Sequence, residues 1–565
     1  MREHYHSTWR LILVLVVLFF LFSAVLARLF YVCITDRQFL LQQSNHRILR
    51  QQVIPAYRGM IMDRTGVPLA ISTPLDSVWV NPGRYKASVS QSHQMAALLQ
   101  LDEKNMRAKI QSALLAGKEF LYLRRINPPS VGSAVEQLKL PGVHIQREYK
   151  RYYPEAEVAA HVVGLTNVDD HGQEGLELAY DHWLSGTDGM REVIKDRLGH
   201  VIKNVATLTQ PSQGKNITLS IDHRIQYLAY RALKWQVDKY HAAAGSVVVL
   251  DTQTGEIIAD VNQPSYNPND RPKDHDGRFR NRALTDMFEP GSTIKPFTIA
   301  LALSSGHYQP DSTIDTSPGK MRIGGYTIKD DGLDYGILSL TEVLKKSSNI
   351  GAAKIMLSLP PQDYTRLLRK VGFGQRTHTG FPGEASGLLL ERSHWYPSVV
   401  ATLAYGYGIA VTTAQLAQGY QVLANHGVKL PLTFMRQSKP VKGTQVLSGK
   451  VADEVVNMLK TVVSREGTGW RARVSGYTVA GKTGTAYIAG PSGYDKHKFV
   501  ASFVGIAPAS RPRLVVAVVI RDPQQQHFGG VVAAPVFAKV MAGALRFMKI
   551  KPDNMVPLRT KATKT

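Results

Sequence analysis

Three features of the sequence predict an α+β protein. An apolar N-terminal run precedes a mixed, polar stretch. Two β-like runs then stand early in the remainder of the chain, and three more, with a closing helix, stand at its end. A helical middle separates the two groups, so the expected core is a mostly antiparallel sheet flanked by helices. At 565 residues the chain exceeds one compact core, and two or more domains plus attachments are expected.

Leu11 to Leu26 is apolar except for Ser23, and apolar character resumes at Leu29 to Ile34. That length spans a bilayer and exceeds most signal-peptide cores, so residues 11–34 are expected to form an uncleaved transmembrane signal anchor behind a short tail, 1–10. The competing reading is a removed signal, with Val25-Leu26-Ala27 as its cleavage site. Arg2 and Arg10 on one side face Arg37, Arg47 and Arg50 on the other, so charge counting leaves the orientation open. Cys33 is the single cysteine, which excludes an intramolecular disulfide.

Residues 36–215 carry short β-like runs and turn signals: Arg58 to Ala70 reads as strand, Thr-Gly turn and returning segment, and Gln91 to Leu115 has helical composition. No catalytic spacing appears there, which suits a binding or spacing domain. From 222 to 552 the texture changes. Asp222 opens a helix to about Tyr240. A hairpin follows (Gly245 to Leu250, then Gly255 to Val261). Strand-like segments surround Lys482 and cover Phe499 to Ile506 and Leu514 to Ile520, and Pro535 to Met548 closes as a helix. Residues 553–565 form a tail. The formal charge of +24 suits an anionic partner. Neither zinc-ligand spacing nor an aromatic-rich binding motif marks nucleic acid, so a wall polymer or a membrane surface fits at least as well, beside the alternative of a merely solvated basic surface.

Chemistry concentrates in three stretches. Phe288-Glu289-Pro290-Gly291-Ser292-Thr293-Ile294-Lys295-Pro296 leads into an apolar run, so a buried helix is expected whose first turn begins at Ser292 and sets the Lys295 amine beside the Ser292 hydroxyl. A desolvated lysine can take the proton of a serine nucleophile. Ser347-Ser348-Asn349 follows. Ser347 could relay the proton to a leaving amine, and Asn349 could hold Lys295 or a substrate amide. Lys482-Thr483-Gly484-Thr485 is third: a cation, two hydroxyls and a glycine that lets substrate backbone approach, suited to a substrate carboxylate. Backbone N–H groups of Ser292 and Thr485 would form an oxyanion hole. No metal set is expected, because the 18 histidines lack ligand spacing.

Ser-x-x-Lys, Ser-x-Asn and Lys-Thr-Gly in this order mark β-lactamases and penicillin-binding proteins. Further stretches widen the resemblance to nearly the whole chain: Arg58-Gly59, Asp63-Arg64-Thr65-Gly66, Arg151-Tyr152-Tyr153-Pro154, Gly172-Gln173-Glu174-Gly175-Leu176-Glu177, Gly380-Phe381-Pro382-Gly383-Glu384 and Tyr405-Gly406-Tyr407-Gly408. The chain resembles the class B penicillin-binding proteins of the division-specific type. The resemblance implies a cytoplasmic tail, one inner-membrane helix, a pedestal (dimerisation-type) domain over 36–215 and a periplasmic transpeptidase domain over 222–552. It also implies a donor stem peptide ending in D-Ala-D-Ala, an acceptor stem amine, acylation by β-lactams, and no cofactor. A partner glycosyltransferase polymerase and other division proteins follow by the same analogy. Tyr487, Gly481 and His527-Phe528-Gly529-Gly530 depart from the pattern expected of close relatives, which points to a condition-specific paralogue. Two competing readings use the same letters: a carboxypeptidase or β-lactamase, with Glu384 as the residue to watch, and a non-catalytic β-lactam sensor or scaffold.

Overall fold

A computed structural model describes residues 5–40, 42, 49–195, 201–271, 277–331, 334–490 and 493–554. Arg2 and Arg47, and the parts of the two expected tails at 1–4 and 555–565, lie outside the described residues. The chain forms two compact units. One holds Met1–Tyr57, Pro74–Lys150 and Gly186–Gln213, and the other holds Arg58–Thr73, Arg151–Ser185 and Gly214–Thr565.

In the first unit a helix runs over Tyr5–Ile34. Its 27 residues Thr8–Ile34 are long and apolar enough to cross a membrane. Strands Leu49–Ile54, Gly189–Lys195 and Val201–Thr209 form an antiparallel sheet with the second in the middle. The expected helical stretch 91–115 is two helices, Val89–Leu98 and Glu103–Leu115. Gln100 at φ 50° turns the chain, and Asp102 accepts from the Asn105 N–H to cap the second helix, so local polar bonding wins over helical composition at the break.

In the second unit Ile61–Met62 pairs antiparallel with the opening residues of strand Pro68–Val80 across the Thr65-Gly66 turn, as expected, and in parallel with Ile217–Thr218. The family-like letters before residue 180 converge here. Glu177 is fully buried and receives Arg58 Nε and Arg151 Nε, one on each carboxylate oxygen, both at 2.6 Å. Arg58 Nη1 adds a 2.7 Å ion pair to Asp181.

The main sheet contains β1 (Ala244–Asp251), β2 (Ile257–Gln263), β3 (Ala480–Gly490), β4 (Gly493–Ala507) and β5 (Leu514–Arg521). Its order is β2-β1-β5-β4-β3, antiparallel throughout, so the late strands complete the early hairpin and β3 is an edge. Period-two alternation divides its side chains. Val247, Val249, Val516, Val518 and Phe503 pack with α1 (His223–Lys239) and the closing α6 (Ala534–Phe547). Val248, Leu250, Val504, Val515 and Ala517 face the other way, with α2 (Lys295–Ser304), α3 (Leu340–Lys346), α4 (Asn349–Leu357) and α5 (Thr413–Ala424). The result is a three-layer α/sheet/α core.

Candidate active site

Gly291–Ile294 is a 3₁₀ turn, and the α-helix begins only at Lys295. The expected helical first turn at Ser292 is thus tighter than α. Pro296 has no N–H to bond the Ser292 carbonyl from four residues on, so Lys295 N–H bonds it from three. Ser292 is half-buried, while Lys295 is fully buried.

Lys295 Nζ donates to Ser347 O (2.5 Å), Asn349 Oδ1 (2.8 Å) and Ser347 Oγ (3.3 Å). No hydrogen bond joins it to Ser292 Oγ among the described residues. From the sheet edge, buried Lys482 Nζ reaches Ser347 Oγ at 2.8 Å. One hydroxyl therefore lies between two buried ammonium groups. Burial lowers the Lys295 pKa to about 7, against the opposing pull of the Asp330 and Asp331 carboxylates. Burial also pulls Lys482 well below the usual lysine range, and the charge of Lys295 adds to that.

Ser347 ends α3 in the left-handed region, at φ 61°, a conformation costly for a residue with a Cβ. Asp330 holds that turn. Its Oδ2 accepts from Ser348 Oγ (2.6 Å), and its Oδ1 accepts from the N–H groups of Asn349 (2.6 Å) and Ile350 (3.1 Å). Asn349 Nδ2 donates to Lys329 O, so its amide is engaged at both ends and holds Lys295. Sequence reasoning missed Asp330: no motif spacing ties it to Ser347.

Lys482 shares a cross-strand row with Val504, Ala517 and Val248, on the α2 side of the sheet. Gly484 lies on the same face, where an added Cβ would stand 2.8 Å from Thr293 Cγ2 and 3.0 Å from Pro290 O. Thr483 and Thr485 alternate with Lys482 and Gly484 along the strand, and Lys482 Nζ reaches back to Thr483 Oγ1 at 3.5 Å. Thr483 Oγ1 pairs with Thr468 Oγ1 at 2.8 Å, and Thr485 Oγ1 accepts from Gly529 N–H at 3.2 Å. Tyr487 N–H points away from β4, to Tyr407 Oη at 3.4 Å. Strand periodicity places the Thr485 N–H on the same outer edge.

The departures from pattern have packing correlates. A Cβ at Gly481 would meet Phe503 Cζ at 2.6 Å. His527 stacks on Phe499 with centroids 4.1 Å apart, and Tyr487 flanks Phe499 at 5.1 Å. Glu289, three residues before Ser292, accepts from Gly408 N–H and Tyr494 Oη, tying the Ser292 loop to the β3–β4 hairpin. Asp63, Asp222 and His223 also gather within ligand distance of one another, a cluster no sequence spacing had suggested. Asp63 there bonds His223 and Thr65, and Asp222 pairs with Arg224.

The model of the penicillin-binding protein transpeptidase domain matches residues 245–542, and that of the penicillin-binding protein dimerisation domain matches residues 53–219. The chain belongs to the class B penicillin-binding proteins. Among members of the family, it is 43% identical over 549 residues to the probable peptidoglycan D,D-transpeptidase PbpC of Pseudomonas aeruginosa, covering 97% of this chain and 96% of that protein. It is 40% identical over 563 residues to the peptidoglycan D,D-transpeptidase FtsI of Escherichia coli K12, covering 98% and 95%. Among solved structures, penicillin-binding protein 3 of Mycobacterium tuberculosis, complexed with aztreonam, superposes at TM-score 0.69 with 27% identity, covering 89% of this chain and 98% of the other.

Proposed function

We propose that this protein is a peptidoglycan D,D-transpeptidase of septal wall synthesis, anchored by residues 11–34 and working outside the inner membrane. The observation that carries the reading is the meeting of three motifs at one hydroxyl: Ser347 Oγ lies within hydrogen-bond reach of both Lys295 and Lys482. Ser292 Oγ attacks the carbonyl of the penultimate D-Ala, and its proton passes to neutral Lys295. The tetrahedral oxyanion is held by the N–H groups of Ser292 and Thr485. The bond to the terminal D-Ala breaks as its nitrogen takes a proton through Ser347, leaving an ester on Ser292. The acceptor stem amine then attacks the ester, loses its proton by the reverse relay, and frees the serine. Lys482 with Thr483 and Thr485 receives the donor carboxylate, and that anion restores the charge that burial takes from the amine.

Transfer rather than hydrolysis is supported by Glu384. It is buried and accepts from Thr377 Oγ1, His378 N–H and Thr379 N–H, so it has no carboxylate oxygen to spare for activating a water. Residues 36–215 serve as the pedestal and 222–552 as the transpeptidase domain in this reading. A glycosyltransferase polymerase and other division proteins are the partners. Intact-mass analysis of the full chain in detergent, after incubation with benzylpenicillin, tests it. A single stable adduct, absent from Ser292→Ala, is expected. An adduct that vanishes within seconds with consumption of the drug would instead mean a hydrolase.

A further inference from the structure

The far side of the core sheet carries an arrangement that the transpeptidase reading does not use. Trp235 on α1 is half exposed and lies between two ammonium groups, Lys239 Nζ at 4.7 Å and Lys539 Nζ of α6 at 4.5 Å from the ring centroid. Trp470 repeats the pattern in the 3₁₀ turn Trp470–Ala472, which packs on α6. It is 41% exposed, with the Arg471 and Arg473 guanidiniums at 4.6 and 5.7 Å. Arg231, over Tyr227, extends the row along α1. None of these five cations forms an ion pair among the described residues. The elements that bear them are poor in acidic residues: α1 contains only Asp238, and neither α6 nor residues 467–476 contain any, while the neighbouring Glu157 and Glu466 are paired with Lys234 and Lys345.

A solitary surface lysine is mobile and well hydrated. A cation held over an indole is fixed in place and partly desolvated at small cost, so a row of them is pre-organised for an anionic chain. α1 alone extends about 25 Å, the reach of a polymer rather than of one small ion. The row also begins at the catalytic cleft, because Thr468, two residues before Trp470, bonds Thr483. Lipid is the poorer match: interfacial docking needs apolar side chains free to insert, and here cations stack on the tryptophan rings. We infer that this face is a holding track for a peptidoglycan strand, which it grips through stem-peptide carboxylates while the cleft works on another stem. The inference rests on peptidoglycan being the substrate, but not on the assigned catalytic roles.

The test is cosedimentation of the full chain in detergent with insoluble peptidoglycan, for the parent and for the variant Lys239→Glu/Lys539→Glu/Arg471→Glu/Arg473→Glu. Folding is checked by thermal melting. The parent should pellet in a salt-sensitive way, and pelleting should fall about tenfold for the variant or on carboxyl-amidated peptidoglycan. Should the reversal variant fail to melt cooperatively, the pairs Lys239→Gln/Lys539→Gln and Arg471→Gln/Arg473→Gln replace it, each losing about threefold. Undiminished pelleting of a folded variant overturns the track. So does loss confined to phosphatidylglycerol vesicles, which would make the face a membrane contact. Failure of penicillin acylation with pelleting intact would strike the catalytic reading alone.

Discussion

In the proposed mechanism Lys295 becomes a base by being deprived of water, and this has a measurable signature. With its pKa drawn down to about 7, the neutral amine proposed to accept the Ser292 proton accumulates as pH rises through 7. The second-order rate of β-lactam acylation should therefore climb between pH 6 and 8 with an inflection near 7, and a flat profile would remove Lys295 from the role. Asp330 supplies a second handle. Its carboxylate favours the charged amine, so Asp330→Asn should move the inflection to lower pH. It should also loosen the Ser347 turn and slow acylation by about a hundredfold. A slower rate with an unmoved inflection would reduce Asp330 to a purely structural role. The contrast between these residues shows what a sequence can say. Lys295, Ser347, Asn349 and Lys482 stand in short motifs whose residue types suit a base, a relay and a cation, so their convergence could be anticipated. Asp330 acts through the Ser348 hydroxyl and the backbone N–H groups of Asn349 and Ile350, and such bonds leave no spacing rule.

At the scale of elements, the junction of β3 with the Ser292 turn is a close approach that only a glycine permits. Gly484→Ala would push its new methyl against Thr293, Pro290 and Ser502. Overpacking of this kind costs about 1–3 kcal/mol. We expect a modest fall in melting temperature and a much larger loss of acylation, because the strand must move away from the nucleophile; equal, small effects on both would show that the turn yields instead. The strands themselves were legible because they are runs of β-branched residues between turn signals. Their order was not. β1 pairs with β5 across more than two hundred residues, and nothing local encodes that partnership. The 3₁₀ turn at Ser292 was missed for a subtler reason. A proline early in a helix reads as tolerable, yet its missing N–H still decides which bond the preceding carbonyl can make.

Over the whole molecule, the chain passes repeatedly between its two compact units, so residues 58–73 and 151–185 fold with the unit that carries Ser292. Glu177 pins both segments by accepting from Arg58 and Arg151 in a site closed to solvent. Removing this carboxylate strands the buried Arg151 charge and leaves Arg58 with Asp181 alone, at a cost of about 3–5 kcal/mol. Glu177→Ala should thus melt several degrees lower although it lies outside the catalytic set, and unchanged melting would mean that water can reach the arginines. These letters were visible in the sequence as family-like islands. Their purpose was not, because an ion pair between residues 58, 151 and 177 has no signature short of the fold.

The open edge of β3 carries one more consequence. A sheet that stops, among the described residues, at an unpartnered strand, with amide donors directed outward beside the proposed nucleophile, is a template awaiting a sixth strand. A stem peptide laid there in extended form would be read mainly through its main chain, which is the same whatever side chains it bears. Selectivity would then arise from the direction and chirality of the guest backbone, and the enzyme could accept stems of differing composition as long as each ends in the right configuration.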